Sequence, residues 1–199
     1  MLPSYYEDFS EIKKKIWLML DKAVNDRSSP FRIPVFICGN QSNLDGRIVV
    51  LRKSDKENNL VQFHSDIRSD KIAKLEANKN AAMLFYDKEE KIQGRRKVEC
   101  NINHQNEGTK QAGEKTQHIS RKCYLVDNGP GTESNKPTSG LKPELDNFDY
   151  SKEKSEEGYK NFTVIQCNIK SIEWLYLAAK GHRRAKFDLK NNKETWLVP

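Results

Sequence analysis

No apolar run in the 199-residue chain approaches the roughly 20 residues that a membrane-spanning helix requires; runs such as IPVFIC and IVVL end within six. Cysteine is equally sparse. The four at positions 38, 100, 123 and 167 form no CxxC pair and accompany no histidine cluster, so neither a zinc site nor a redox dithiol is expected. They read as small core residues. There is also no GxxxxGK(S/T) phosphate loop, and the glycine-rich fragment NGPGTESN at 128–135 lacks the third glycine and the strand–helix context of a dinucleotide turn. If a phosphorylated ligand binds, side chains and a helix N-terminus have to hold it. The start, MLPSYYEDFSEIKKK, carries acids where a secretory signal needs a basic segment followed by an apolar one. A cytoplasmic location with free thiols is therefore expected, and the Asn40 and Asn161 sequons are read as accidental.

What is abundant is charge: 32% of residues are charged and 36% apolar, with a net +7. A positive balance invites a nucleic-acid reading, because Lys and Arg neutralise phosphates. The pattern opposes it, since many lysines alternate with acids, as in Lys53 to Glu57 and Lys88 to Lys91, and no aromatic RNA-binding strand stands out. Neither a nucleic-acid nor a membrane partner is expected. The length suits one domain spanning 1–199.

Along the chain, Phe9, Ile12, Ile16, Leu20 and Ala23 recur at steps of three and four, which predicts an amphipathic helix over 6–23 ended by Ser28 to Pro30. Three β-branched segments, 33–39, 46–53 and 60–65, read as an antiparallel meander. A short helix follows over 68–77, then strands at 81–87 and 91–102, with a bulge or close backbone approach at Gly94. Residues 103–118 and 127–160 are poor in large apolar groups and read as a loop-rich insert. Between them ISRKCYLV fits helix and strand equally. From Asn161 the chain is strand-like to its end. Many short strands with outside helices predict a mainly β fold with α, a closed or partly closed antiparallel barrel.

One stretch carries candidate anion chemistry. Arg47 opens a strand, and Arg68, Ser69 and Lys71 open the short helix, where backbone amides and cations together suit a phosphate. Taken alone, this is also how an ordinary N-capping serine among solvated basic residues looks. The order and spacing of GRIVVLRK, FHSDIRSDKIAKL and NAAMLFYDKEEKIQGR, followed late in the chain by GYKNFTVIQCNIKSIEWLYLAAKGHRRAKF, resembles the pyridoxamine 5'-phosphate oxidase-like family of FMN-binding split barrels.

That resemblance implies a split β-barrel, FMN as cofactor and a homodimer with the flavin between subunits. It implies that Arg47 and the backbone of Ile48, Val49 and Val50 line the flavin, with Arg52 at the pyrimidine edge of the ring. His64 and Ser65 run along the cofactor. Ser69 and Lys71 match phosphate ligands, Asp70 stands where the oxidases often have arginine, and Arg68 is expected to replace that charge. Gln93 matches a glutamine that hydrogen-bonds the isoalloxazine. Trp174 and Arg184 resemble residues that reach the partner's flavin, and His182 a substrate contact. The chain has His182-Arg183-Arg184 where the oxidases have Arg-x-His, so vitamin B6 specificity is not implied. The resulting expectation is an FMN-dependent oxidoreductase of unidentified substrate with no assigned acid or base. The alternative is a flavin- or haem-binding stress or sensor protein without turnover on the same barrel.

Overall fold

The computed structural model describes residues 3–116, 118–146 and 151–199. The first element, α1 (Phe9–Asn25), starts at Asp8, whose carboxylate accepts the Glu11 amide at 2.9 Å. It ends where Asp26 turns extended, one turn before the 3-10 segment Pro30–Arg32. The apolar stripe Ile12, Ile16, Leu20 and Ala23 is buried against the sheet, as its spacing predicts.

Nine strands follow: β1 (Val35–Cys38), β2 (Asp45–Ile48), β3 (Leu51–Asp55), β4 (Leu60–Asp66), β5 (Asn80–Asp87), β6 (Ile92–His104), β7 (Phe162–Tyr176), β8 (Arg183–Asp188) and β9 (Lys193–Leu197). Helix α2 (Asp70–Ala77) crosses from β4 to β5. The main sheet runs β2-β1-β5-β6-β7-β4-β3, and β8 and β9 extend from β7. All pairings are antiparallel. β2 and β3 lie at opposite ends of that order yet are separated in the chain only by Val49 and Val50. Two residues cannot cross a flat seven-stranded sheet whose strands lie about 4.8 Å apart, so the sheet has to curl until its ends nearly meet. This is a split β-barrel.

The structure departs from the sequence pattern in two places. The single strand read over 46–53 is two strands on different partners, β2 on β1 and β3 on β4, so the first three apolar segments do not form a meander. A continuous β-branched run does not reveal where the chain changes neighbour. The stretch 103–118 is not a plain loop: β6 continues to His104, and α3 (Glu107–Lys115) forms on a reciprocal cap between Asn106 and Thr109. Short helices α4 (His118–Arg121), α5 (Pro143–Asp146) and α6 (Lys152–Glu156) follow.

The barrel interior holds Phe36, Phe63, Phe85, Trp174 and Phe187, all nearly inaccessible. β7 is 15 residues long because it serves two neighbours on one side, β4 along Phe162–Asn168 and β8 along Ser171–Tyr176. Cys38, Cys100 and Cys167 are core residues as expected, whereas Cys123 is exposed. No helix among the described residues is long and apolar enough to cross a membrane.

Candidate functional site

Ser69 is the N-cap of α2 by backbone conformation, but its hydroxyl does not cap the helix. It accepts instead from the Lys71 ammonium at 2.7 Å, and the Ser65 hydroxyl at the end of β4 accepts from the same nitrogen at 2.8 Å. All three residues are buried. Burial first, and then repulsion from Arg47, push the Lys71 pKa down to about 8. Arg47 reaches the cluster from β2. Its guanidinium pairs with Asp45 and stands 3.9 Å from Asp70, while its Nε is buried without an acceptor. Lys74 closes the rim through Asp70 at 2.6 Å and Asp45 at 3.4 Å.

The centre of this cluster is therefore rich in donors and poor in acceptors. The Lys71 ammonium has three protons and, in its hydrogen bonds, only two neutral hydroxyls. A buried cation so placed fits an anion that brings several oxygens. The two rim carboxylates, Asp45 and Asp70, satisfy Arg47 and Lys74 rather than Lys71.

Arg52 and His64 form a second group. In the β3–β4 ladder Leu51 faces Phe63 and Lys53 faces Gln62, so Arg52 is the extra residue of a bulge. A bulge re-aims its side chain out of the regular alternation. Arg52 is partly buried with its Nε lacking an acceptor, and its pKa is lowered by burial and then by Arg32. His64 packs edge-on against Phe162 at 4.9 Å between ring centres. Burial, and after it Arg52, push it down to about 4, so its ring is neutral at physiological pH. Of the backbone stretch, Ile48 is exposed at the end of β2, Val49 is buried with its amide on the Pro34 carbonyl at 3.1 Å, and Val50 is intermediate.

The remaining predicted residues lie elsewhere. Arg68 does not replace the charge missing at Asp70: its guanidinium holds the buried Asp66 carboxylate at 2.7 and 3.0 Å and the carbonyls of Val126 and Asp127. A buried carboxylate takes the nearest cation. Gln93, Leu175 and Arg184 form one row across β6, β7 and β8 on the outer face, and Arg184 is bound to Glu173 at 2.6 Å. Trp174, one residue out of phase with that row, points into the barrel and is fully buried, with its ring 6.1 Å from Tyr176. Strand alternation puts it on the inner face, so it cannot reach a partner's ligand. His182 accepts the Ala178 amide on Nδ1 at 3.1 Å and fixes the turn before β8.

Sequence reasoning missed Asp45 and Lys74. Lys74 lies one helical turn from Asp70, a spacing that could have flagged the pair, whereas nothing local links Asp45 to α2.

A model described as Pyridoxamine 5'-phosphate oxidase, FMN-binding domain matches residues 19–103, which contain β1 to β5, α2, most of β6 and both groups of candidate residues. That segment belongs to this family of FMN-binding domains. The solved structures agree on the fold. A pyridoxamine 5'-phosphate oxidase-related, FMN-binding protein from Nostoc punctiforme PCC 73102 superposes with a TM-score of 0.72 at 14% identity, over 100% of both chains. PhzG from Burkholderia lata 383, solved with tetrahydrophenazine-1-carboxylic acid, gives 0.71 at 16% identity over 100% of this chain and 98% of that one. General Stress Protein 26 from Bacillus anthracis gives 0.50 at 12%, covering 92% of this chain and 99% of that one. Among curated protein sequences there is no match.

Proposed function

We propose that the protein binds FMN, with the phosphate in the Ser65–Ser69–Lys71–Arg47 cluster, and acts as an FMN-dependent oxidoreductase. The observation that carries this reading is the buried Lys71 ammonium, whose hydrogen bonds go only to two hydroxyls, beside the acceptor-less Nε of Arg47. One phosphate site and no dinucleotide turn favour the mononucleotide over FAD. When bound, the flavin supplies hydride acceptance at its ring nitrogen. The chain's own part is to orient it: Arg52, re-aimed by the bulge, carries the positive charge suited to the ring's electron-rich edge, and His64 offers a neutral face.

A homodimer completes the reading. Gln93 and Asn103 are ten residues apart on β6, a path of about 33 Å, and Asn103 lies in register with Val164 and so with His64. Gln93 and Arg184 are therefore at the far end of the strand from Arg52 and His64. Only a second chain, related by a two-fold axis, brings both ends to one flavin. Trp174 has no part in this.

The test is an absorbance spectrum of the purified protein and titration with FMN, FAD and riboflavin. Stoichiometric uptake of FMN and rejection of FAD are expected, and failure to take up FMN in any non-denaturing buffer overturns the proposal. Bleaching of the bound flavin by a reduced nicotinamide or a B6 phosphate separates turnover from the alternative of a flavin-binding stress or sensor protein.

A further inference from the structure

A cavity of about 370 Å³ lies between α3 and the two 3-10 turns Lys122–Tyr124 and Glu157–Asn161, the second of which leads into β7. Its described walls all fall within residues 110–162, outside the segment shared with the FMN-binding family, and none of the flavin candidates lines it. Three aromatic rings shape it. Tyr159 and Phe162 lie 6.3 Å apart at 29° to each other, and Tyr124 stands across Phe162 at 5.1 Å and 83°. The rings therefore make a corner with a flat wall and an upright one.

The polar groups of the lining are held by the chain itself. Arg121 donates to the Gly113 and Glu114 carbonyls at 2.8 and 3.2 Å, the Thr116 hydroxyl donates to the Ala112 carbonyl at 2.8 Å, and the Tyr159 hydroxyl pairs with that of Thr109 at 2.9 Å. Charge is balanced as well, with Lys110 and Arg121 set against Glu114 and Glu156, although the chain as a whole is +7. A charged ligand would lose its water against the rings and meet no net charge in return.

Gly113 supplies an independent pointer. Glycine is, after proline, the least favourable residue inside a helix, yet α3 carries one here with a backbone that is not left-handed. A Cβ at this position would meet the Tyr159 ring at 3.6 Å and the Phe162 ring at 3.8 Å, which are ordinary contacts. Neither backbone nor packing calls for glycine. Its effect is to leave the two rings open to the cavity.

We infer that this cavity binds a neutral, planar aromatic molecule of one or two rings, stacked on Tyr159 and Phe162. Its volume is at the small end of the range for ligand sites, roughly 300–1,000 Å³, which suits an occupant of that size. Phe162 also packs edge-on against His64 at 4.9 Å, so the occupant lies one ring away from a group that the flavin reading places at the cofactor. The binding itself does not rest on that reading.

The test is calorimetric titration of 2-naphthol at pH 7, beside its charged counterparts naphthalene-2-carboxylate and 2-(aminomethyl)naphthalene, on the full chain with saturating FMN and again without it. One equivalent of 2-naphthol that depends on Gly113 is expected in both, with both charged probes weaker by about tenfold or more. Gly113→Leu, a better helix former whose side chain fills the corner, is expected to weaken 2-naphthol by about tenfold or more. If circular dichroism shows that variant misfolded, Gly113→Ala serves, with a loss of about threefold expected from one added methyl group. Absence of saturable 2-naphthol binding overturns the inference, as does binding that the Gly113 variants leave intact or a charged probe that binds as tightly. A protein that binds 2-naphthol through Gly113 but takes up no FMN upholds the cavity and refutes the flavin proposal instead.

Discussion

Replacing Lys71 by alanine removes the ammonium that Ser65 and Ser69 hold at 2.8 and 2.7 Å. A hydrogen bond to a charged group contributes about 1.5–3 kcal/mol, so FMN is expected to bind about 12- to 160-fold more weakly. Riboflavin, which has no phosphate, is expected to change by less than about threefold, the ordinary scatter of a variant that loses one interaction. The wild-type protein adds a pH signature. In the free protein Lys71 titrates near 8, below its usual range. A phosphate dianion raises that pKa again, so binding takes up a proton wherever the free lysine is neutral. FMN affinity is therefore full between the phosphate's second pKa of about 6 and pH 8, and falls with rising pH above 8. Lys71→Ala removes the upper limb. Quenching of flavin fluorescence, measured with FMN and riboflavin across that range, reads all of this. Equal losses for the two ligands, or a wild-type affinity indifferent to pH between 7 and 9.5, would refute the phosphate assignment.

Other expectations concern the barrel and its assembly. Arg96 is 1% exposed, stacks on Phe85 at 4.0 Å, and has no acceptor for any guanidinium nitrogen. A Cβ at Gly94 would come within 2.6 Å of its Nη1. Gly94→Ala is thus expected to cost about 1–3 kcal/mol in urea unfolding, and much less in the Arg96→Met background, which itself is neutral to stabilising; additive costs would show that the two positions do not meet. His64 is expected to stay neutral down to about pH 4 in a histidine NMR titration, and a value near 6.5 would mean that the ring is solvated. Sedimentation at low micromolar concentration is expected to give a dimer that resists dilution better with FMN present, since a ligand held by both chains favours the assembled state. A monomer that binds FMN tightly would remove Gln93 and Arg184 from the site.

Patterns of period two and 3.6 made most elements legible. The stripe from Ile12 to Ala23 is buried, with Phe9 half-buried at its start, and along β6 Ile92, Val98 and Cys100 are buried as the alternation requires, while Ile102 is half-buried and Arg96 shares the buried face. The notable failures were places where burial depends on a distant partner. Nothing near Val49 signals that one β-branched run serves two sheet ends, and nothing near Trp174 tells which of two alternating faces is the inner one. Arg68 was read by sequence proximity to Ser69, yet its guanidinium is claimed by Asp66 and by carbonyls nearly 60 residues away.

Local chemistry by itself determined a mainly β barrel, a family resemblance, and a set of cations and hydroxyls suited to one phosphate. Those features depend on residue type and short-range order, which the chain carries in one dimension. Only the tertiary structure decided that Lys71 turns inward onto two serines, that a bulge re-aims Arg52, and that Gln93 and Arg184 lie a strand's length from His64. Each of these depends on which strands pair and in what register, and pairing is set by the closure of the whole sheet, which no local segment encodes.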